Sequence, residues 1–397
     1  MRRVHDLSGG AILLAAVCAV AAAARATDAA SSPIVPPGGW RVVWVASVVA
    51  AFVLYGLGSL AARRAKARLG VAVAVAVAVQ IVPLFGPLLL SRDVYLYWAE
   101  ARVVTVHHAN PYVSTPSDYP ADPATGVASA QWRDEPEPYG PAWVALGSVP
   151  AALAGTSSRH AQLLYRLLSV GGMLLVLGVL ARRTRNAAAV TFVGWNPLIA
   201  LHVGGGGHTD VWLAVALVVG VCFRGTRIGG TMWPLGAAIK VVPAILLPLE
   251  LARTRGRSTR RWWVAFSVVG AAVILAATAA FGLHWVSGIS AGAHLASPVG
   301  GVHILTELGV RHRYAVVACG LVFAAIYAVL FRQAWQTGRA RLSLAATSLC
   351  LCSSLLRPWY AIWPVALAGT EDDNLAVGAA YLLTGYLLFA DAVDLWS

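Results

Sequence analysis

The sequence predicts an all-α, polytopic membrane bundle of about 11–13 transmembrane or re-entrant helices, and three observations lead there. Of its 397 residues 58% are hydrophobic and only 12% charged, half the roughly 25% charge of a soluble domain. Apolar runs of about 20 residues recur without the apolar–polar alternation of a β-barrel. The arginines behind the net charge of +13 gather in short links between those runs, which is the positive-inside pattern. These clusters are Arg63, Arg64, Lys66 and Arg68; Arg182, Arg183 and Arg185; Arg224 and Arg227; Arg253, Arg255, Arg257, Arg260 and Arg261; and Arg332, Arg339 and Arg341. Charge so placed faces a lipid bilayer, and nucleic acid is not an expected partner. The whole chain, 1–397, reads as one membrane domain.

The elements follow in order. Met1-Arg2-Arg3 before an apolar run at 9–25 places the N-terminus in the cytoplasm. Ala24-Arg25-Ala26 resembles a signal-peptidase site, and cleavage there leaves the remaining topology unchanged. Residues 27–39 are Pro-rich and external, and a span at 40–61 returns to the RRAKAR loop. The stretch VAVAVAVAV (71–79) alternates only Val with Ala, so it carries no amphipathic signal and is read as helix within a third span at 70–90. That span delivers SRDVYLYW (91–98) to the outer surface.

The longest polar segment, 91–140, is rich in Pro, Asp, Tyr and Glu, and a polar stretch this long in a tight bundle is functional or disordered. PAWVALGSVPAALAG (141–155) is too short to span and is read as an interfacial helix. Spans at 161–181 and 187–203 follow, and HTDVWLAVALVVGVCF returns to Arg224, so Gly204–Asp210 shares the outer face with Asp93. Residues 229–253 have arginines on both sides and prolines at 234, 243 and 248, which predicts a re-entrant or broken helix pair. Spans at 262–282 and 314–331, a rising helix at 342–356, a short descending helix, the turn TEDDN (370–374) and a final span complete the bundle. No internal repeat is evident. Cys18, Cys222, Cys319, Cys350 and Cys352 all lie in apolar runs without CxxC spacing, and are read as packing residues.

Asp93 follows a span directly, with Tyr95, Tyr97 and Trp98 behind it. It suits either an interfacial carboxylate beside an aromatic belt or an acid in a site. Asp210 suits a helix cap equally, yet the two acids share one face at span ends. Gly204–Gly207 lacks the GxxxxGK[ST] pattern of a P-loop; it is a flexible turn, or a place where a ligand approaches backbone. Lys240 is one of only two lysines against 28 arginines and lies in an apolar stretch. Snorkelling to the interface explains it, as does a phosphate contact. Arg357, beside Pro358-Trp359-Tyr360, has a guanidinium suited to bidentate phosphate recognition. The histidines at 284, 294, 303 and 312 lack regular ligand spacing, so no metal site is assigned.

These blocks carry a resemblance. Asp93, YLYWAEARVVTVHHANPYV (95–113) and EPYGPAW (137–143) are similar to the first-loop pattern of polyprenyl-phosphate-sugar-dependent mannosyltransferases of the glycosyltransferase C superfamily. WNPL (195–198), GGHTD (206–210), IKVVP (239–243) and RPWYAIW (357–363) resemble, in order, later blocks of the actinobacterial membrane α-mannosyltransferases. Two residues depart from the pattern: Ala109 stands where Gly is usual and Thr209 where Asn is usual. Two spans precede the loop before Asp93's own, where the simplest members have none.

The resemblance implies an enzyme that moves a hexose, mannose by family, from a polyprenyl phosphate to a glycolipid or glycan hydroxyl outside the cytoplasmic membrane, inverting the anomeric carbon. The loop 91–155 would be its extracytoplasmic catalytic loop. Asp93 would be the general base, and Lys240 and Arg357 would hold the donor phosphate. His208, Asp210, Asn110 and Tyr112 would meet sugar or acceptor, with Tyr139, Trp359 and Tyr360 as walls. No cofactor is expected, since a lipid-linked donor needs no nucleotide site; a divalent metal is left open. A transporter or flippase shares the buried cation and broken helix, but should show repeats and needs no acid at the end of a span. A non-catalytic scaffold would tolerate loss of Asp93.

Overall fold

The computed structural model describes residues 1–25, 38–65, 67–130, 132–255, 258–286 and 297–394. Ala26, Lys66, Arg257, His294 and the Pro-rich stretch up to residue 37 lie outside the described residues. Among those described, every regular element is helical.

Helices α1 (Arg2–Ala23) and α2 (Gly39–Arg64) pack together, and α3 (Leu69–Ile81) continues into a 3-10 turn at Val82–Phe85. The polar segment contributes α4 (Asp93–Thr105) and the short α5 (Pro123–Val127). Then come α6 (Pro141–Ala154), α7 (Ser158–Thr184), α8 (Ala187–Gly194) and α9 (Pro197–Ala200), the last running into a π-turn at Leu201–Gly205. The second half holds α10 (Asp210–Cys222), α11 (Arg227–Ala237), α12 (Val242–Thr254), α13 (Arg260–Phe281) and α14 (Gly301–Glu307). It ends with α15 (His312–Thr337), α16 (Leu342–Cys352), α17 (Ile362–Ala368) and α18 (Asn374–Asp394).

Among the described residues, five helices are long and apolar enough to cross a membrane: α1, α2, α7, α13 and α15. A sixth span arises if α8 and the α9–π segment count as one, bent by 52°. The expected continuous spans at 187–203 and 70–90 are therefore interrupted. At the first, Asn196 caps α9 by accepting the Ile199 N–H at 3.2 Å, and Pro197 at N1 has no N–H to continue α8. At the second, the helix ends near Pro83, in the 3-10 turn. The rising helix expected at 342–356 runs from Leu342 to Cys352. The predicted break in 229–253 falls at Ala238–Val241, between α11 and α12.

Small residues let the helices approach. A Cβ on Gly58 would sit 2.8 Å from the Trp195 ring, as expected where backbones meet in a bundle. Trp195 is fully buried, donates Nε1–H to the Ala72 carbonyl at 3.0 Å and stacks on His5. Most of the core surrounds it; a second cluster, with Tyr97, Trp98, Trp143 and Tyr165, lies beneath the polar segment. By contrast α13 and α15 expose Val264, Val268, Leu275, Leu321 and Val329, the surface that lipid covers in a spanning helix.

Candidate active site

The 91–140 segment is ordered by its own charges. Arg102 donates Nε–H to both Asp122 oxygens, at 2.8 and 3.0 Å, and Nη1–H to the Gly155 carbonyl at 2.6 Å. His107 Nε2 reaches Asp122 at 2.8 Å while its ring stacks on Tyr119. Against the burial that opposes them, these partners and the Ala124 N–H hold the Asp122 carboxyl below the usual carboxylate range. Of the two readings, functional or disordered, the second does not describe the residues held by these contacts.

Asp93 opens α4, its N–H bonded to Ser91 Oγ at 3.1 Å. One helical turn on, Tyr97 points its hydroxyl at Asp93 Oδ2, 3.4 Å away. Tyr97 is itself walled by Trp143 and Tyr139, with ring centroids 5.3 and 5.8 Å away. Burial pushes the Asp93 carboxyl above its ordinary value, although Ser91 and Arg357 pull it down.

The segment after α5 carries Tyr139 and Gly140, and it docks onto the α11–α12 break through its backbone. Gly140 donates its N–H to the Ile239 carbonyl at 2.9 Å, and Ala142 to the Ala238 carbonyl at 3.0 Å. A Cβ on Gly140 would lie 2.2 Å from the Ala238 oxygen, so only glycine fits. Held at that break, Lys240 bonds Asp210 Oδ1 at 3.0 Å. Its ammonium sits 3.9 Å from the Tyr360 ring centroid, 4.8 Å from Trp363 and 5.4 Å from Tyr139, a cation–π cage.

The glycine-rich turn is shaped from within the bundle. Arg166, on α7, donates to the carbonyls of Gly204 (2.8 Å), Gly86 (3.1 Å) and Pro83. A Cβ on Gly204 would come within 2.5 Å of the Gln80 carbonyl, and one on Gly207, at φ +72°, within 2.5 Å of Val94. These glycines admit neighbouring protein rather than a ligand, which corrects the expectation from sequence. The turn delivers His208, whose ring stacks on Trp359 at 3.8 Å and 13°.

These elements enclose a cleft of about 220 Å³. Asp93, Tyr139, Lys240, Arg357, Trp359 and Tyr360, all singled out from the sequence, line it together. Trp132 and Tyr97 also line it and were not foreseen; a loop tryptophan and a helix tyrosine carry no local signal of it. Arg357 lies 5.9 Å from the ring centroids of both Trp132 and Trp359. Among the lining residues described, Asp93 is the sole acid.

Four residues expected to touch ligand do not line the cleft. His208 and Asp210 are 0% and 1% exposed and sit behind it. Asn110 spends its amide on the Phe281 carbonyl at 2.9 Å and the Tyr112 N–H at 3.1 Å. Tyr112 donates its hydroxyl to the Tyr139 carbonyl at 3.0 Å. Backbone has consumed their polar groups, so the NPY motif anchors the loop that carries Tyr139. Among the described residues no group of three or more His, Cys, Asp or Glu could hold a metal ion.

With this geometry in place, comparison with known proteins is informative. Residues 7–292 match the family described as alpha-(1->6)-mannopyranosyltransferase, N-terminal domain. The chain belongs to this family. Within it, the chain is 24% identical over 324 residues to alpha-(1->6)-mannopyranosyltransferase A of Mycobacterium tuberculosis, covering 71% of this chain and 62% of the relative. It is 24% identical over 343 residues to alpha-(1->6)-mannopyranosyltransferase B of Corynebacterium glutamicum, covering 72% and 56%. To alpha-(1->6)-mannopyranosyltransferase A of the latter organism it is 25% identical over 236 residues, covering 53% and 48%. The chain thus spans less than two thirds of the length of these relatives. No solved structure matches it. The family match includes Asp93, Tyr139, His208 and Lys240, and ends before Arg357.

Proposed function

We propose that this chain is a membrane α-mannosyltransferase that moves mannose from a polyprenyl phosphate to a hydroxyl of a glycolipid or glycan, at the non-cytoplasmic face of the membrane. One observation carries the reading: a single cleft gathers one carboxylate, Asp93, two cations, Lys240 and Arg357, and aromatic walls. The names of the relatives supply the sugar.

The acceptor oxygen attacks the anomeric carbon as its proton passes to Asp93. The bond from that carbon to the phosphate oxygen breaks, and the lipid phosphate leaves with the electron pair. Lys240 and Arg357 neutralise the charge that grows on the phosphate. A lone acid supports single displacement with inversion, since a double displacement by carboxylates needs a second one placed as nucleophile. The raised proton affinity of Asp93 suits a base working closer to neutral pH than a free carboxylate. Tyr139, Trp359, Tyr360 and Trp132 offer flat apolar faces to the sugar and to the first isoprene units.

The test is to give the protein, in lipid nanodiscs, radiolabelled polyprenyl-phosphate mannose and membrane glycolipids. A new mannosylated product is expected. Asp93→Asn should lower turnover roughly 10²–10⁴-fold while leaving the thermal unfolding profile unchanged. Near-normal turnover in that variant removes Asp93 as base, and movement of the donor across the bilayer without a new bond makes the chain a transporter.

A further inference from the structure

His208 sits behind the cleft with one polar outlet. Its Nδ1 is 3.5 Å from Asp93 Oδ2 and 3.5 Å from the Tyr97 hydroxyl, and that hydroxyl is 3.4 Å from the same Oδ2. The opposite ring nitrogen, Nε2, is buried without a hydrogen-bond partner among the described residues. It faces Gly206, where a Cβ would come within 3.0 Å of it. A proton on Nε2 would therefore be an unsatisfied buried donor, costing about 1–3 kcal/mol. On Nδ1 the same proton faces the Asp93 carboxylate 3.5 Å away, which favours that tautomer. The ring plane is fixed on one side by Trp359, stacked at 3.8 Å, and the backbone by Ser169, whose hydroxyl donates to the His208 carbonyl at 3.2 Å. Two residues on, Asp210 holds Lys240.

We propose that His208 is a positioning residue for the base: its neutral imidazole donates Nδ1–H to Asp93 Oδ2 and, with Tyr97, sets the rotation of that carboxylate toward the cleft. The inference rests on the reading of Asp93 as the base. Two donors converging on one oxygen remove the rotational freedom that a carboxylate at a helix start otherwise has. Through His208 and Asp210, the short segment 208–210 then fixes the base and one phosphate-side cation to a single piece of backbone. His208 meets neither sugar nor acceptor.

Two measurements test this. In the first, turnover is compared for the wild type, His208→Phe, His208→Asn, Tyr97→Phe and the Tyr97→Phe/His208→Phe pair. Phenylalanine keeps the stack on Trp359 and removes the donor; asparagine restores a donor near the Nδ1 position. His208→Phe should lose kcat by about 10–100-fold, the scale of a misplaced catalytic group, with the acceptor KM nearly unchanged. The acid limb of its kcat profile should move to higher pH, since a carboxylate that loses a donor holds its proton more tightly. His208→Asn should recover most of the loss, and the paired change should cost less than the sum of its parts. An unchanged kcat and acid limb in His208→Phe, or a loss confined to KM, overturns the proposal. The second measurement needs no turnover: ¹⁵N-histidine spectra of the wild type, with His208→Asn to assign the signal, should show His208 protonated on Nδ1. An Nε2-protonated ring overturns the proposal even if the wild type makes product. A wild type that makes no product overturns the proposed function, while the spectrum still decides the His208–Asp93 contact.

Discussion

Two helix breaks build this site, and they are closed by different means. At Leu201–Gly207 a side chain leads: Arg166 reaches in from α7 to the Gly204 carbonyl and ties it to those of Gly86 and Pro83, while the Leu89 N–H bonds the Gly205 carbonyl at 3.1 Å. At Ala238–Val241 another stretch of backbone does it, through the N–H groups of Gly140 and Ala142. Irregular backbone inside a membrane protein survives only where protein or water supplies the missing hydrogen bonds. The first break takes its hydrogen bonds from outside the polar segment, which only packs against it, through Val94 beside Gly207. The second is closed by that segment, so the order of residues 137–142 and the position of Lys240 are one property.

The largest expected effect falls on the first break. Arg166→Leu strands the Gly204 and Gly86 carbonyls, while Pro83 keeps the Gly86 N–H, at a cost of about 1–3 kcal/mol each, a large part of the stability of a marginally stable fold. Loss of monodisperse protein in size-exclusion chromatography is expected. A variant with wild-type thermal stability would show that this break closes without its arginine.

Gly140→Ala strikes the second. The added methyl meets the Ala238 oxygen and must push the loop off the break, so the protein should fold yet lose about 10²-fold in turnover through displacement of Lys240 and Tyr139. Full activity there would separate the loop from the cation.

The smallest effect is a pH dependence beneath the same loop. Burial pushes the Glu137 carboxyl from 4.5 up to about 8, and Glu100 beside it is raised by burial and by Glu137. The folded state thus holds a proton that the unfolded chain releases. Its stabilising effect is complete below pH 4.5 and is lost as pH rises through about 8. Unfolding temperature should fall across that interval, and Glu137→Gln, which keeps an acceptor for the Tyr139 N–H, should flatten the slope. An unchanged slope would leave the pair without influence on the loop.

Much of this site was legible in the sequence. Asp93 showed by its place directly after a span and Arg357 by its Pro-Trp-Tyr neighbours, and the structure brings both to one cleft with Lys240. Lys240 stood out because an ionisable group in apolar surroundings is costly and so conspicuous. The same rule applied to the run at 161–181 would have found Arg166, which instead passed as part of a span. His208 and Asp210 were picked out, but a residue at a helix start reads alike whether it faces a cavity or lies behind one. Asn110 misled similarly, because an amide that anchors backbone has the same sequence signature as one that binds sugar. Trp132 was beyond reach, since its place depends on how α5 and the turn after it fold over Arg357. For the fold, arginine clusters and apolar runs marked the helices; they missed the interruption at Pro197, where one proline within an apolar run bends the path by 52°.

The close approach of Gly140 to Ala238 has a consequence for exchange of parts between relatives. A polar loop joined to its bundle only at its two ends can be transplanted as a cassette. This one also makes, where it ends, backbone bonds to the break between α11 and α12, about a hundred residues later in the chain. A chimera that brings in a foreign 91–140 loop should work only if 238–241 travels with it. The two segments are a single heritable unit, however far apart they are written.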